Sequence, residues 1–106
     1  MEGRYRRCMI AAFSITPVGA GESVGAAVAE AVRLVRASGL PNETNSMFTN
    51  VEGDWDEVMG LIHSCVEAVS ARVGRVSVVI KVDHRPGTGP GTMARKVASV
   101  EDHLAP

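Results

Sequence analysis

The 106-residue sequence is short of aromatic side chains, cysteines and net charge. Its four aromatic residues and formal charge of −1 exclude the exposed rings and basic surface with which a small domain binds nucleic acid. Every apolar stretch is interrupted within a few residues by Ser, Gly or charge, so no segment approaches the roughly 20 residues that span a bilayer. We therefore expect no nucleic-acid partner and no membrane partner.

The sequence also lacks clusters of metal-binding side chains. Cys8 and Cys65 stand alone, without the spacing of a zinc site or a disulfide framework. His63, His84 and His103 are scattered, each without a second ligand at metal spacing. We expect no metal and no cofactor, and we interpret the cysteines as small buried side chains of a cytoplasmic protein.

The length fits one domain, which we place at residues 8–106. The basic segment 1–7 and the apolar run after it superficially resemble a signal peptide. However, that run is short, alternates as a strand does, and is not followed by an A-x-A-like cleavage site. We interpret residues 1–7 as a basic extension that leads into the first strand.

The first half of the domain reads as a strand and a helix. Residues 8–16 are rich in β-formers and alternate between two faces. Pro17 and the glycines after it end this strand. Helical spacing of apolar residues follows over 24–38, with Ser23 as the predicted cap and Gly39 as the predicted terminator.

The second half repeats this alternation of strand and helix. Segment 42–52 has room for a hairpin, with Asn45 and Ser46 at its turn. A helix capped by Asp54, with Glu57 completing a capping box, runs as far as Gly74. A β-branched strand occupies 75–83, and an amphipathic helix closes the chain. Its apolar positions are Met93, Val97, Val100 and Leu104.

The order β-α-β-β-α-β predicts an α+β fold, a ferredoxin-like sandwich with an extra C-terminal helix. Both central helices then cover one face of the sheet. The other face is too apolar to be fully solvated, and we expect a second subunit or a ligand on it. Its predicted residues are Ile10, Ala12, Ser14, Ser77, Val79 and Lys81.

The sequence has no recognisable catalytic site. Gly19, Gly21 and Gly25 lack the spacing and the Lys-Ser/Thr of a phosphate-binding loop. Residues 83–85 combine Asp, His and Arg but have no nearby nucleophile or paired carboxylate. An acylphosphatase of this fold would need an Arg in segment 16–22, which contains none. We expect no catalytic residues and no enzymatic activity.

The hairpin is the most informative segment for function, because hydrogen-bonding side chains concentrate there beside an aromatic ring. Such a mixture suits a small polar heteroaromatic ligand. The alternative is that Asn and Ser serve only the turn and Thr only the strand. The cluster consists of Thr44, Asn45, Ser46, Met47, Phe48, Thr49, Asn50 and Glu52.

Three motifs resemble the YkoF-like thiamine-binding protein family over roughly residues 9–104. The first is Ser14-x-x-Pro17-x-Gly19, and the last is Ile80-Lys81-Val82-Asp83-x-Arg85. Between them lies Met47-x-Thr49-x-x-Glu52-Gly53-x-Trp55-Asp56-Glu57-Val58, whose Glu-Gly-x-Trp-Asp part is the most specific.

This resemblance implies binding of thiamine, or of its hydroxymethylpyrimidine portion, without turnover. It also implies self-association into dimers that often pair into tetramers. By motif position, the ligand-binding residues are Ser14, Thr49 and Glu52, with Asn45 and Met47 lining the site and Phe48 or Trp55 stacking on the ligand. Glu52 alternatively caps the helix that follows it, and Trp55 alternatively belongs to the core.

Two positions depart from the family pattern. Phe48 stands where the family usually has Gly, and Asn42 stands where it usually has an aromatic residue. Phe48 therefore either closes the pocket or supplies the ring that Asn42 lacks. A regulatory or structural homo-oligomer without a metabolite stays open as the alternative function.

Overall fold

The computed structural model describes residues 8–19, 24–87 and 91–106. The predicted extension at 1–7 and the predicted cap Ser23 lie outside the described residues. The elements follow in the order β1 (Cys8–Pro17), α1 (Val24–Ala37), β2 (Asn42–Thr44), β3 (Thr49–Asp54), α2 (Trp55–Val73), β4 (Val76–His84) and α3 (Thr92–Leu104).

The four strands form one antiparallel sheet in the order β2-β3-β1-β4. At its centre, Ala11 of β1 lies opposite Val51 of β3 and Val82 of β4. Because directly paired residues share a face, this register places the apolar positions of the three strands on one side. The predicted ferredoxin-like fold with an added C-terminal helix is confirmed.

The core lies between that face and the two helices α1 and α2. It takes alternate residues of β1 and the stripe that recurs at helical spacing in each helix, as the two periods require. The buried residues of this cluster are Met9, Ala11, Phe13, Ile15, Ala27, Ala31, Val35, Leu40, Val51, Val58, Ile62, Cys65 and Val69.

Local signals in the sequence fix where the helices begin and end. Asp54 caps α2, since its carboxylate accepts a hydrogen bond from the Asp56 amide at 3.1 Å. Gly39 and Gly74 follow α1 and α2 with φ angles of +80° and +82°, a conformation that glycine adopts without strain. These three predicted boundaries are confirmed.

Trp55 lies outside the core, so its interpretation as a core residue is wrong. It is the first residue of α2, and 40% of its surface is exposed. Its ring meets the ring of His84 edge to face, with centroids 5.5 Å apart. The indole therefore contacts the edge strand β4 through His84 and keeps part of its surface in solvent.

The second face of the sheet is only partly open, because the first turns of α3 lie against it. Glu52 of β3 accepts hydrogen bonds from the start of α3, and Lys96 of α3 pairs with Asp83 of β4 at 2.8 Å. Val79, on the same face, stays 54% exposed. Within the described ranges, no helix is long and apolar enough to cross a membrane.

Candidate functional site

A cavity of about 220 Å³ lies at the end of the sheet, between α1, the last part of β1 and the β2–β3 turn. Side chains of α1 form one wall and the turn forms another. Its lining residues are Phe13, Ser14, Ile15, Thr16, Val28, Ala31, Val32, Thr44, Asn45, Ser46, Met47, Phe48 and Thr49.

The turn that borders the cavity is held by Asn45. Its backbone N–H donates to the carbonyl of Phe48 at 2.9 Å, and its side-chain Oδ1 accepts from the amides of Met47 and Phe48, both at 2.9 Å. An Asn side chain that mimics a backbone acceptor in this way stabilises a tight turn. The predicted turn is confirmed, and it fixes the backbone of Phe48 beside the cavity.

The polar groups of the cavity are neutral. The hydroxyls of Thr44 and Thr49 lie 3.3 Å apart on the helical side of the sheet. Ser14 and Thr16 also line the cavity, along the end of β1, although their side chains alternate toward the other face of the sheet. Each hydroxyl both donates and accepts, which matches the mixed edge of a nitrogen heterocycle. Among the described residues, no charged side chain lines this cavity. The arrangement suits a neutral polar ring.

The size of the cavity limits the ligand. Pockets for drug-sized ligands start at roughly 300 Å³, whereas this cavity has about 220 Å³. A single six-membered ring with small substituents fits such a volume better than a two-ring molecule. A longer ligand would leave its second part at the mouth, where Met47 is 72% exposed.

The structure brings together five of the seven residues predicted for ligand binding: Ser14, Asn45, Met47, Phe48 and Thr49 all line the cavity. Glu52 and Trp55 do not line it. Asn42, where the family pattern has an aromatic residue, instead donates from its side chain to the carbonyl of Leu40 at 2.8 Å.

The wall that α1 contributes to the cavity was not predicted from the sequence. Val28, Ala31 and Val32 line the cavity, and only Ala31 is fully buried. Helical spacing assigned these positions to the apolar side of α1, but spacing does not tell a core contact from a cavity wall. The signal available was the small size of Ala31 within that stripe.

Glu52 lies on the other face of the sheet. Its neighbours across the strands are Ile10 and, beyond it, Asp83, whereas Thr49 and Val51 face the helices. The side chain is 2% exposed. Its carboxylate accepts three backbone hydrogen bonds at the start of α3. Glu52 therefore caps α3, and the predicted alternative that it caps α2 is wrong, since Asp54 does so.

The two thiols are buried and separate from the cavity. The pKa of the Cys8 thiol is raised by burial and by the nearby negative charge of Glu52, whose Oε2 lies 3.8 Å from Sγ. Burial raises the pKa of Cys65 to about 11. In the part of the chain that the structure describes, no group of His, Cys, Asp and Glu side chains is arranged to hold a metal ion.

Fold and site together define a ferredoxin-like α+β domain with a ring-sized cavity at one end of its sheet, whose described lining residues are uncharged. The profile of the thiamine-binding protein family matches residues 11–101, and the chain belongs to that family. The resemblance predicted from the motifs is therefore confirmed at the level of the family.

Proteins from several organisms are similar to this chain in sequence or in fold. A UPF0045 protein of Mycobacterium bovis is 58% identical over 97 residues, which are 91% of this chain and 94% of the relative. The solved structure of a Methanocaldococcus jannaschii protein, 34% identical, superposes with a TM-score of 0.80 over 90% of this chain and 97% of its own. A Thermotoga maritima protein, 15% identical, has a TM-score of 0.74 over 85% and 98%, which shows the fold alone.

Proposed function

We propose that the protein binds thiamine, or its hydroxymethylpyrimidine portion, in the cavity beside the β2–β3 turn. One observation carries the proposal: Ser14, Thr49 and Phe48 meet there without a charged neighbour among the described residues. Hydroxyl groups match the donors and acceptors of an aminopyrimidine, and the Phe48 ring offers a stacking partner. Membership in the thiamine-binding protein family supports this choice of ligand.

The shape of the cavity favours the pyrimidine as the enclosed part. Its volume suits one ring, and among the described residues no carboxylate lines it to neutralise a buried thiazolium cation. The cation therefore lies at the mouth, near Met47 and within reach of water. On this basis we expect thiamine and hydroxymethylpyrimidine to bind with affinities that differ less than tenfold.

We further propose that binding occurs without turnover. The polar side chains that the structure describes along the cavity are those of Ser, Thr and Asn45, and no described His, Lys, Asp or Glu lines it to activate a nucleophile. Thiamine recovered unchanged after prolonged incubation with pure protein supports this proposal. Release of a pyrimidine or thiazole product, abolished by Ser14→Ala, contradicts it.

Isothermal titration tests the proposal most directly. The ligands are thiamine, thiamine diphosphate and hydroxymethylpyrimidine, with an unrelated cationic heteroaromatic as the negative control. We expect saturable binding that weakens about three- to tenfold in Ser14→Ala and in Thr49→Val, the effect of one lost hydrogen bond. Ser77→Ala is the matched control, because Ser77 is exposed on β4 and does not line the cavity. Equal affinities of the parent protein and the two variants contradict the assignment of the binding site to this cavity.

Phe48 needs a separate variant, because its ring either stacks on the ligand or closes the cavity. We propose that it stacks, since it lines the cavity and Asn42 supplies no ring there. Phe48→Leu keeps an apolar side chain but removes the ring, and we expect it to weaken binding about two- to tenfold. Tighter binding by Phe48→Leu shows instead that the ring obstructs the ligand.

Glu52 and Trp55 stay predictions as ligand-binding residues. Glu52→Gln separates the possibilities, because the structure uses the carboxylate for α3 and not for the cavity. If a folded Glu52→Gln protein binds the ligand with the same affinity as the parent protein, Glu52 does not belong to the site, which is then confined to the cavity. A large loss of affinity without a loss of stability extends the site to the other face of the sheet.

We also propose that the protein self-associates. If it binds no metabolite, the alternative function is that of a regulatory or structural homo-oligomer. The supporting observation is exposed apolar surface: Val79 on the sheet is 54% exposed, and Val97, Val100 and Leu104 on α3 are 54%, 59% and 72% exposed. Apolar patches of this kind mark protein interfaces. We propose that a second copy of the chain covers the sheet face that carries Val79.

Light scattering on Val79→Lys tests this interface. We expect a dimer or tetramer for the parent protein at tens of micromolar and a smaller species for the variant. Leu34→Lys is the control, since Leu34 is a 38% exposed residue of α1 on the helical side of the molecule. A monomeric parent, or equal effects of both substitutions, contradicts the proposal. Absence of stabilisation by any thiamine compound favours the oligomer without a metabolite.

A further inference from the structure

Helix α3 begins without a cap of its own. Its N-cap is Gly91, which has no side chain and a φ angle of +91°. The first N–H groups of a helix have no partner within the helix. Here the carboxylate of Glu52 on β3 accepts the hydrogen bonds of these N–H groups. Its Oε2 accepts from the backbone N–H groups of Gly91 and Thr92 at 2.7 and 3.0 Å, and its Oε1 accepts from that of Met93 at 2.9 Å.

This attachment is buried and charge-assisted. Glu52 is 2% exposed, and a carboxylate at a helix N-terminus also interacts favourably with the helix dipole. Hydrogen bonds to a charged group are the strong ones, and loss of such a partner inside the protein leaves several polar groups unsatisfied. The first turn of α3 is therefore firmly held.

The rest of α3 is held much more weakly. None of its residues is buried. Beyond the first turn, an ion pair joins Lys96 Nζ to Asp83 Oδ2 of the sheet, and the two side chains are 53% and 48% exposed. Exposed ion pairs contribute little and are screened by salt. Lys96 also lines a second cavity, of about 420 Å³, together with Ile10, Ala12 and Lys81 of the sheet.

We propose that α3 is a hinged arm, with a permanent pivot at Glu52 and a releasable catch at Lys96 and Asp83. With the catch closed, Lys96 holds α3 at the border of the second cavity. With the catch open, the helix swings about its first turn and exposes the sheet around Ile10 and Ala12. This proposal does not depend on the identity of the ligand in the first cavity.

Amide hydrogen exchange tests the pivot. First-turn amides have no intrahelical acceptor, so slow exchange at Gly91, Thr92 and Met93 reports their bonds to Glu52 directly. We expect these amides to exchange at least about tenfold more slowly than an unstructured chain, and Glu52→Gln to remove most of that protection. The matched control is Glu43→Gln, which also removes one negative charge but from an exposed residue of β2.

The catch is tested with Lys96→Met and with salt. We expect either change to accelerate exchange in 97–104 about two- to fivefold, as for the loss of one exposed ion pair, and to leave Gly91, Thr92 and Met93 unchanged. The proposal is overturned if these three amides exchange at unstructured rates in the parent protein. It is also overturned if Lys96→Met loosens both ends of α3 equally. Both outcomes are measurable even if Glu52→Gln does not fold.

Discussion

Substitution of Gly53 by alanine measures how closely β3 approaches α2. Gly53 belongs to the Glu-Gly-x-Trp-Asp segment that marks the family, and its φ angle is not positive. Its backbone conformation is thus open to other residues, and the close contacts that a Cβ would make here explain why glycine occupies the position. A Cβ at this position lies 3.2 Å from Cγ2 of Val58 and 3.3 Å from Cδ2 of Leu40.

The expected effect is a balance of two opposing contributions. Alanine restricts the unfolded chain and so stabilises the protein by about 0.4–1 kcal/mol. The new methyl group presses on Val58 and Leu40, which are 0% and 9% exposed and have little room to move. Overpacking of a core costs about 1–3 kcal/mol. We therefore expect Gly53→Ala to lower the free energy of unfolding by about 1–2 kcal/mol.

Gly60→Ala is the matched control for this substitution. Gly60 lies within α2, and a Cβ there meets no atom within 4 Å. The same chemical change should raise the free energy of unfolding by about 1 kcal/mol, the difference in helix propensity. Urea unfolding compares the three proteins at one fixed protein concentration, because the proposed self-association would make stability depend on concentration.

A double-mutant cycle with Val58→Ala identifies the cause. Removal of the Val58 methyl groups relieves the 3.2 Å contact, so Gly53→Ala should cost less in that background than in the parent protein. The reasoning is refuted if Gly53→Ala is at least as stable as the parent, or if its cost is the same with and without the Val58 side chain.

Three further predictions concern the turn, the thiols and the catch. Asn45→Ala removes two hydrogen bonds of 2.9 Å and should destabilise the protein by about 1–2 kcal/mol in urea unfolding; an unchanged midpoint contradicts this. At pH 8 a thiol reagent should label Cys8 and Cys65 only after unfolding, since burial raises both pKa values, that of Cys65 to about 11; labelling of the folded protein is the opposing result. The hydrogen bond and charge of Lys96 lower the pKa of Asp83, so the pair stabilises the folded state above the unfolded-state pKa and loses this effect as pH falls through the lowered value. Because the pair is half exposed, we expect less than about 1 kcal/mol; a carboxyl titration in which Lys96→Met leaves Asp83 unchanged refutes it.

Much of the fold was predictable from local patterns. The period of two in β1 and the period near 3.6 in α2 assigned both elements and their buried sides, and Asp54 and Gly74 marked the ends of α2. Asn45 marked the turn in the same way, because its side chain bonds to the backbone of its own turn. These signals are local, and local energetics decide them.

The contacts between distant segments were not predictable in this way. Glu52 and Gly91 are 39 positions apart, and no periodicity connects them. The apolar stripe of α2 includes Trp55, which predicts a buried side chain. The stripe contains no information that β4 is an edge strand, beside which the indole stays exposed. Likewise, the side of α1 that faces the sheet was evident, but the gap between them was not.

The segment 49–53 explains why a family motif is an incomplete guide to a binding site. Successive residues of a strand point to opposite faces, so Thr49 reaches the cavity, Glu52 reaches α3 on the other side, and Gly53 returns to the helical side against α2. Five consecutive residues thus serve three separate contacts. If a substitution in this segment abolishes ligand binding, the cause is one of three: a missing contact with the ligand, the release of α3, or the displacement of α2. Only affinity and stability measured together on the same variant distinguish them, and the structure predicts a selective loss of affinity for Thr49 alone.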